Sequence, residues 1–260
     1  MSPSAAPVQV EADGAVTLVR MNLPDKRNAL LPPLREALIG ALEAAMAAPA
    51  CRAIVLTGSG PTFCAGGDLD GLAALDPQAV RSRMARGQEL IRLLAAGPKP
   101  VVAAVNGAAH GAGLSLAAAC DFVVASDVAK FGAVFAKVGL MADFGLLWSL
   151  PRRIGIGHAK RLLYGGLVID AAEAHALGLA DELAAPEATV GRAMALARGF
   201  ADGPPVAIAL MRRAFARDTS SLEAALALEL DGQTHLFSTE DFTEGRTAFR
   251  ERRPPRFEGR

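Results

Sequence analysis

Two glycine-rich turns carry the strongest chemical signal in this 260-residue sequence. One is Phe63-Cys64-Ala65-Gly66-Gly67-Asp68-Leu69, the other Asn106-Gly107-Ala108-Ala109-His110-Gly111-Ala112-Gly113-Leu114. Each follows a short apolar run that reads as a strand, Ala53 to Thr57 for the first and Val101 to Val105 for the second. Small residues leave backbone N–H groups uncovered. The second turn feeds a helix, expected over Leu114 to Cys120, whose N-terminus adds positive partial charge. Brought together, two such turns form an oxyanion hole of backbone donors. Taken singly, glycine pairs are more often plain turns.

Two familiar motifs fail on spacing. A dinucleotide fingerprint needs a glycine three residues after Gly113, where Leu116 stands. Gly113-Leu114-Ser115-Leu116-Ala117 approaches a nucleophile elbow, but that elbow needs the strand to run directly into the serine, and Ser115 lies ten residues beyond Val105. Ser115 therefore reads as a small core residue. Cys64 has no base beside it in sequence and reads as a small buried residue. His110, His158, His175 and His235 read as packed or hydrogen-bonded histidines.

The elements that must hold these turns follow from periodicity. Asp13-Gly14 between Val8/Val10 and Val16/Leu18 marks a hairpin. Pro32-Pro33 opens a helix with apolar residues at Leu34, Leu38, Leu42 and Ala45. A second helix is expected from about Pro77 to Ala95, and a further strand over Asp121 to Ala125. Strands alternating with helices indicate an α/β protein with largely parallel pairing. After about Asp202 four helical segments are expected, among them ones opening at Pro204-Pro205, Ser221 and Asp241.

Composition removes several classes of function. Lys plus Arg is 27 and Asp plus Glu is 27, so the net charge is 27 − 27 = 0 and nucleic acid is not an expected partner. The apolar stretch Val101 to Ala125 is broken by Asn106, His110, Asp121 and three glycines, so it reads as core and no membrane partner is expected. Cys51, Cys64 and Cys120 are scattered, with no histidine at metal spacing. Neither a disulfide framework nor a metal site is expected, and without a signal-peptide pattern at the N-terminus a cytoplasmic location is.

Several segments, in order, carry a family resemblance: Asn22-Leu23-Pro24-Asp25-Lys26-Arg27-Asn28-Ala29-Leu30, Cys64 to Leu69, Asn106-Gly107 through Gly113, Cys120-Asp121, Pro151-Arg152-Arg153-Ile154-Gly155, and Glu244-Gly245-Arg246-Thr247-Ala248-Phe249. The chain resembles the crotonase superfamily of enoyl-CoA hydratases and isomerases over nearly its whole length. The resemblance implies a spiral of ββα turns over residues 1–202, binding and transforming an acyl-CoA thioester. It implies a C-terminal helical region, 203–260, that makes trimers or dimers of trimers.

The same resemblance assigns candidate roles. The N–H groups of Gly67 and Ala112 would hold the thioester oxygen as an enolate develops. Lys26, Arg27, Ala65, Asp68, Leu69, Phe249 and Arg252 match positions that contact coenzyme A, the last two often from a neighbouring subunit. For Asp68 a turn or helix-cap role is an equal alternative. Coenzyme A enters as part of the substrate, and no separate cofactor is implied.

Family hydratases use two glutamates where this chain has Ser115 and Phe135. Asp143, among Leu140, Met141 and Phe144, matches instead the acid/base aspartate of isomerases acting on dienoyl-CoA or on ring-epoxidised phenylacetyl-CoA. Apolar surroundings would raise its pKa toward working pH. On the residues alone, Asp143 reads as a cap for a helix starting near Gly145; the resemblance favours the catalytic role. The expected activity is isomerisation, moving a double bond or rearranging a ring epoxide. Hydration through Asp143 and water, or acyl-CoA binding without catalysis, are the alternatives.

Overall fold

The structure, a computed structural model, describes residues 6–68, 71, 76–217 and 221–260. Its first half lays strands alternately into two sheets. Strands β1 (Val8–Asp13) and β2 (Val16–Met21) form the antiparallel hairpin around Asp13-Gly14. β3 (Ala53–Gly58), β5 (Val101–Val105), β7 (Phe122–Ser126) and β10 (Glu182–Ala184) extend this sheet in parallel, giving the order β1-β2-β3-β5-β7-β10. The second sheet, β4-β6-β8-β9, takes β4 (Thr62–Cys64), β6 (Ala108–His110), β8 (Lys130–Gly132) and β9 (Val168–Asp170). Each of β3–β4, β5–β6 and β7–β8 is thus one strand in each sheet, and a helix follows before the next pair. This is the ββα spiral that the resemblance implies.

Those helices are α2 (Pro77–Ala96), α3 (Ala112–Ala119) and α4 (Leu146–Gly165), the last interrupted at Gly155; α1 (Pro32–Ala47) precedes them. Side chains of the six-stranded sheet alternate between two apolar layers. Ile54, Leu56, Val101, Ala103 and Val123 enter the main core. Val55, Val102 and Val124 face α6 (Thr189–Ala201), which follows the short α5 (Ala171–Ala176). Burial on both faces explains why these strands read as unbroken apolar runs rather than as alternating ones.

Two boundaries move relative to the sequence expectations. α3 begins at Ala112, two residues earlier than expected, so the Ala112 amide is the first helical N–H. β7 begins at Phe122; Asp121, just before it, donates its amide to the Val101 carbonyl at 2.9 Å and accepts the Val101 amide on its side chain at 2.7 Å.

Past Asp202 the described residues form three helices rather than four: α7 (Pro205–Ala216), α8 (Leu222–Leu236) and α9 (Glu240–Glu251). Arg212 of α7 is buried and donates to the carbonyls of Leu94, Gly97 and Lys99, and it pairs with Asp121 at 2.9 Å. Arg52 donates to Gly203 and Phe257, tying the tail to β3. The matched motifs around Cys120 and Arg153 do structural work too. Arg153 donates to the carbonyls of Ala118, Cys120 and Asp121, closing the buried C-terminus of α3. Among the described residues no helix is long and apolar enough to cross a membrane.

Candidate active site

The two glycine turns meet. A Cβ on Gly66 would stand 2.8 Å from the His110 carbonyl oxygen and 3.5 Å from the Ala112 nitrogen, and one on Gly113 would stand 2.1 Å from the Cys64 carbonyl oxygen. Gly66 and Gly111 both have positive φ, 96° and 54°, a conformation that glycine adopts without strain, and the Gly111 amide still donates to the Gly132 carbonyl at 2.9 Å. Among the described residues neither the Gly67 nor the Ala112 amide has a hydrogen-bond acceptor. Ala112 is at the first position of α3, where an unpaired N–H is the rule. The pair is thus available to a ligand oxygen.

A third segment braces the first turn. The Ala65 amide donates to the Arg27 carbonyl at 3.0 Å, and the Leu30 amide donates to Gly66 at 2.8 Å. Asn28 makes this possible: fully buried, it donates to Thr62 and Ser59 carbonyls at 2.7 and 2.9 Å and accepts from the Leu23 amide at 2.9 Å. Its φ of 52° and the 51° of Arg27 form a left-handed pair that leaves Lys26 and Arg27 exposed at the lip of the turns. Nothing in the residue pattern around Asn28 announced this role beyond its place in a matched segment.

The backbone of Asp143 is held to α3. Ser115, three residues along α3, is wholly buried, and its single hydroxyl proton is shared between the Asp143 backbone carbonyl at 3.1 Å and that of Gly111 at 3.3 Å. Ser115 is therefore a core residue with a fully used hydroxyl, as its sequence context implied. The Asp143 side chain is different. Its Oδ1 is buried without a hydrogen-bond partner among the described residues. α4 is preceded by Gly145 in the left-handed conformation and has no side-chain cap, so Asp143 is not the cap that the residues alone allowed.

Burial pushes the Asp143 carboxyl up to about 6, against the opposing pull of the Arg83 guanidinium and of its own backbone amide. The surroundings explain the direction. A cavity of about 550 Å³ opens onto Asp143 between α2 and the Leu140–Trp148 segment, with Val80, Met84, Met141 and Trp148 among its walls. Phe144, buried at φ 48°, lays its ring against Gly87 of α2, where any Cβ would fall 1.8 Å from a ring carbon. A carboxyl with a pKa near neutrality and no internal partner can take and return a proton at working pH.

Other candidates sort clearly. Burial pushes the Cys64 thiol up to about 11, which removes it as a nucleophile. His110 packs under Gly132, its Nε2 is buried without a partner, and burial together with the Arg27 charge lowers its pKa. Phe135 is buried with its ring facing Gly111. Ala65 is half-buried and Asp68 exposed beside the first turn; Leu69 lies outside the described residues. Phe249, 86% exposed, and Arg252 lie on or just after α9. The side chains flanking them on that helix bond to the C-terminal tail: Glu244 to Arg253, and Asp241 to the Glu258 and Gly259 amides. The structure thus brings the Gly67 and Ala112 turns and the Arg27 lip together, and ties the Asp143 backbone to α3 through Ser115. It does not bring Phe249 and Arg252 into bonding contact with them.

Comparison with known proteins agrees with this geometry. Residues 11–260 match the family described as enoyl-CoA hydratase/isomerase. A probable enoyl-CoA hydratase of Rhodobacter capsulatus is 39% identical over 254 residues, 97% of this chain and 98% of that protein. The 1,2-epoxyphenylacetyl-CoA isomerase of Escherichia coli is 35% identical over 253 residues, 95% of this chain and 96% of that protein. Among solved structures, an enoyl-CoA hydratase from Bacillus anthracis superposes with a TM-score of 0.93 at 31% identity, covering 98% of this chain and 100% of that one. With sequence and structure matching along nearly the whole chain, the protein belongs to the enoyl-CoA hydratase/isomerase family, the crotonase superfamily.

Proposed function

We propose that this enzyme isomerises an unsaturated or ring-epoxidised acyl-CoA by proton transfer through a thioester enolate. The observation that carries the reading is Asp143: a carboxyl in an apolar cavity, unpartnered at Oδ1 among the described residues and raised to about 6; by the family resemblance, Ser115 and Phe135 stand where hydratases carry glutamates. In the double-bond shift, the Asp143 carboxylate takes a proton from a carbon next to the alkene. Negative charge moves to the thioester oxygen, which accepts hydrogen bonds from the Gly67 and Ala112 amides. The protonated Asp143 then returns its proton at the other end of the dienolate, so no atom is gained or lost. Coenzyme A enters only as part of the thioester, and this sequence of steps calls on no metal or redox cofactor.

Lys26 and Arg27, exposed beside the first turn, fit contacts to the phosphates of the coenzyme A portion, with Ala65 and Asp68 along its path; the resemblance assigns Leu69 the same role. Phe249 and Arg252 suit a purine face and a phosphate presented by a neighbouring subunit. The three cysteines are buried and free, which suits a reducing, cytoplasmic setting.

A hydratase using Asp143 and water is the second reading, favoured by the name of the Rhodobacter relative. Deuterated and oxygen-18 water separate the two. An isomerase exchanges α- or γ-carbon hydrogen of an enoyl-CoA with deuterium and leaves product oxygen unlabelled. Labelled oxygen in the product establishes hydration instead. Tight acyl-CoA binding without exchange or turnover on any 2-enoyl, 3-enoyl or epoxide thioester would make the protein a non-catalytic binder.

Residues 203–260 are proposed to assemble the chain into trimers. α8 buries none of its side chains within the chain, and Leu222, Leu226 and Leu230 line one stripe of it, at 70%, 45% and 70% exposure. Residues four apart lie on one helix face, so this is a continuous apolar edge left exposed among the described residues. Sedimentation at micromolar concentration should give a trimer or a dimer of trimers. A stable monomer that retains acyl-CoA affinity would end the idea.

A further inference from the structure

We propose that the acyl group bound here carries a second, terminal carboxylate, and that Arg83, backed by Arg35, receives it in the Asp143 cavity; this deepens the acyl-CoA reading and rests on it. Arg83 projects from α2 into the same cavity that Asp143 lines. It is half-buried, yet among the described residues it makes neither a hydrogen bond nor an ion pair. Its guanidinium carbon stands 5.8 Å from the centroid of the Phe144 ring, at the outer limit of a cation–π contact.

The neighbouring cations are treated differently by the fold. Arg86, one turn further along α2, is paired with Glu36 at 2.7 Å and with Glu89. Arg35 of α1 is 7% exposed and gives its Nε to Glu36 at 3.2 Å, but its Nη1 is buried without a partner among the described residues. Arg35 and Arg83 feel one another: the Arg35 charge adds to burial in lowering the Arg83 pKa. Glu36 is already shared between Arg35 and Arg86. Among the described residues Glu36 and Glu89 are the acids ion-paired in this group, and their partners are Arg35 and Arg86, not Arg83.

Asp143 does not close this account. It raises the Arg83 pKa but forms no ion pair with it, and desolvation outweighs Arg83 at the Asp143 carboxyl. A neutral acyl tail would dehydrate the guanidinium further without pairing it, which is unfavourable. A carboxylate matches the planar fork in two parallel hydrogen bonds and neutralises it. The base and the anion-binding group are then separate side chains of one cavity. Arg83 would be a specificity-determining residue, reading the far end of the acyl group rather than its reacting carbons.

Hexanoyl-CoA and adipyl-CoA differ only by the terminal carboxylate. Both are saturated at the carbons that react, so calorimetric titration measures binding without turnover. Adipyl-CoA is expected to bind the wild type about ten- to a hundredfold more tightly, the range of a hydrogen-bonded charge pair. Arg83→Met should abolish that preference and leave hexanoyl-CoA affinity within a few-fold, and Arg83→Lys should restore part of it. Equal affinity in the wild type, a preference for hexanoyl-CoA, or an equal loss of both in Arg83→Met would overturn the proposal. If neither thioester binds, the acyl-CoA reading falls and this inference falls with it. Failure of isomerase chemistry alone leaves the binding comparison fully informative.

Discussion

Replacing Asp143 with Asn should lower proton exchange and turnover by about a hundredfold to ten-thousandfold, the usual contribution of a positioned general base. The same substitution should make the protein more stable at neutral pH. Asn keeps the shape and the local hydrogen bonding, but it removes a charge that the fold desolvates and leaves unpaired at Oδ1. The sign follows from the raised pKa. In the fold the carboxyl holds its proton up to about 6, against 3.8 ordinarily. The ionised form is therefore the strained one. Its cost is absent below pH 4, grows between pH 4 and 6, and is complete above pH 6.

Each pKa unit corresponds to about 1.4 kcal/mol, and partial exposure of Asp143 reduces the whole to about 1–2 kcal/mol. Urea titrations of both proteins should show this gap at pH 8 and lose it near pH 4. The wild-type kcat/KM should fall tenfold per pH unit below about pH 6, where the base becomes protonated. An Asn variant with turnover within a few-fold of wild type would take Asp143 out of the mechanism. Equal stability of the two proteins at pH 8 would mean that the carboxylate is not desolvated.

Gly113→Ala should cost at least a hundredfold in turnover although it adds only one methyl group. That methyl would lie 2.1 Å from the Cys64 carbonyl oxygen and 2.9 Å from its carbon, both backbone atoms with no rotamer to yield. α3 must then move away from the Cys64–Gly67 turn. Overpacking of this kind destabilises by about 1–3 kcal/mol. The larger effect is on aim. Gly67 and Ala112 sit on opposite sides of that contact, and loss of one oxyanion donor costs about a hundredfold to a thousandfold in kcat.

Gly40 on α1 is the control, since a Cβ there meets nothing within 4 Å. Gly40→Ala should raise stability by up to about 1 kcal/mol and leave turnover unchanged. Wild-type turnover in Gly113→Ala would show that the two turns do not act together.

Much of this architecture is legible along the chain because it depends on local sterics and period. Asp13-Gly14 specifies its hairpin, Pro32-Pro33 opens α1, and Pro77 begins α2, each through backbone conformations that neighbouring residues alone decide. The glycine turns after β3 and β5 are likewise visible as turns, and their likeness to a family identifies them as a pair. That Asp143 has apolar neighbours is visible from Leu140, Met141 and Phe144.

Tertiary structure alone decides the rest, because the deciding contacts join residues that no local pattern relates. Successive strands fall into different sheets, so Gly66 comes to touch the His110–Ala112 backbone. The choice between helix cap and proton carrier at Asp143 turns on which acceptor its oxygen finds, and only the packed chain shows that Oδ1 finds none. Ser115 spends its hydroxyl on a carbonyl 28 residues away. Arg83 and Arg35 look like ordinary surface cations on helical faces, yet α1 and α2 pack so that one is buried and the other enters the Asp143 cavity. Charge and hydrogen-bond balance are sums over a whole neighbourhood. Period and propensity determine the elements of this protein; the neighbourhoods they make, and hence the chemistry, exist only once the elements are stacked.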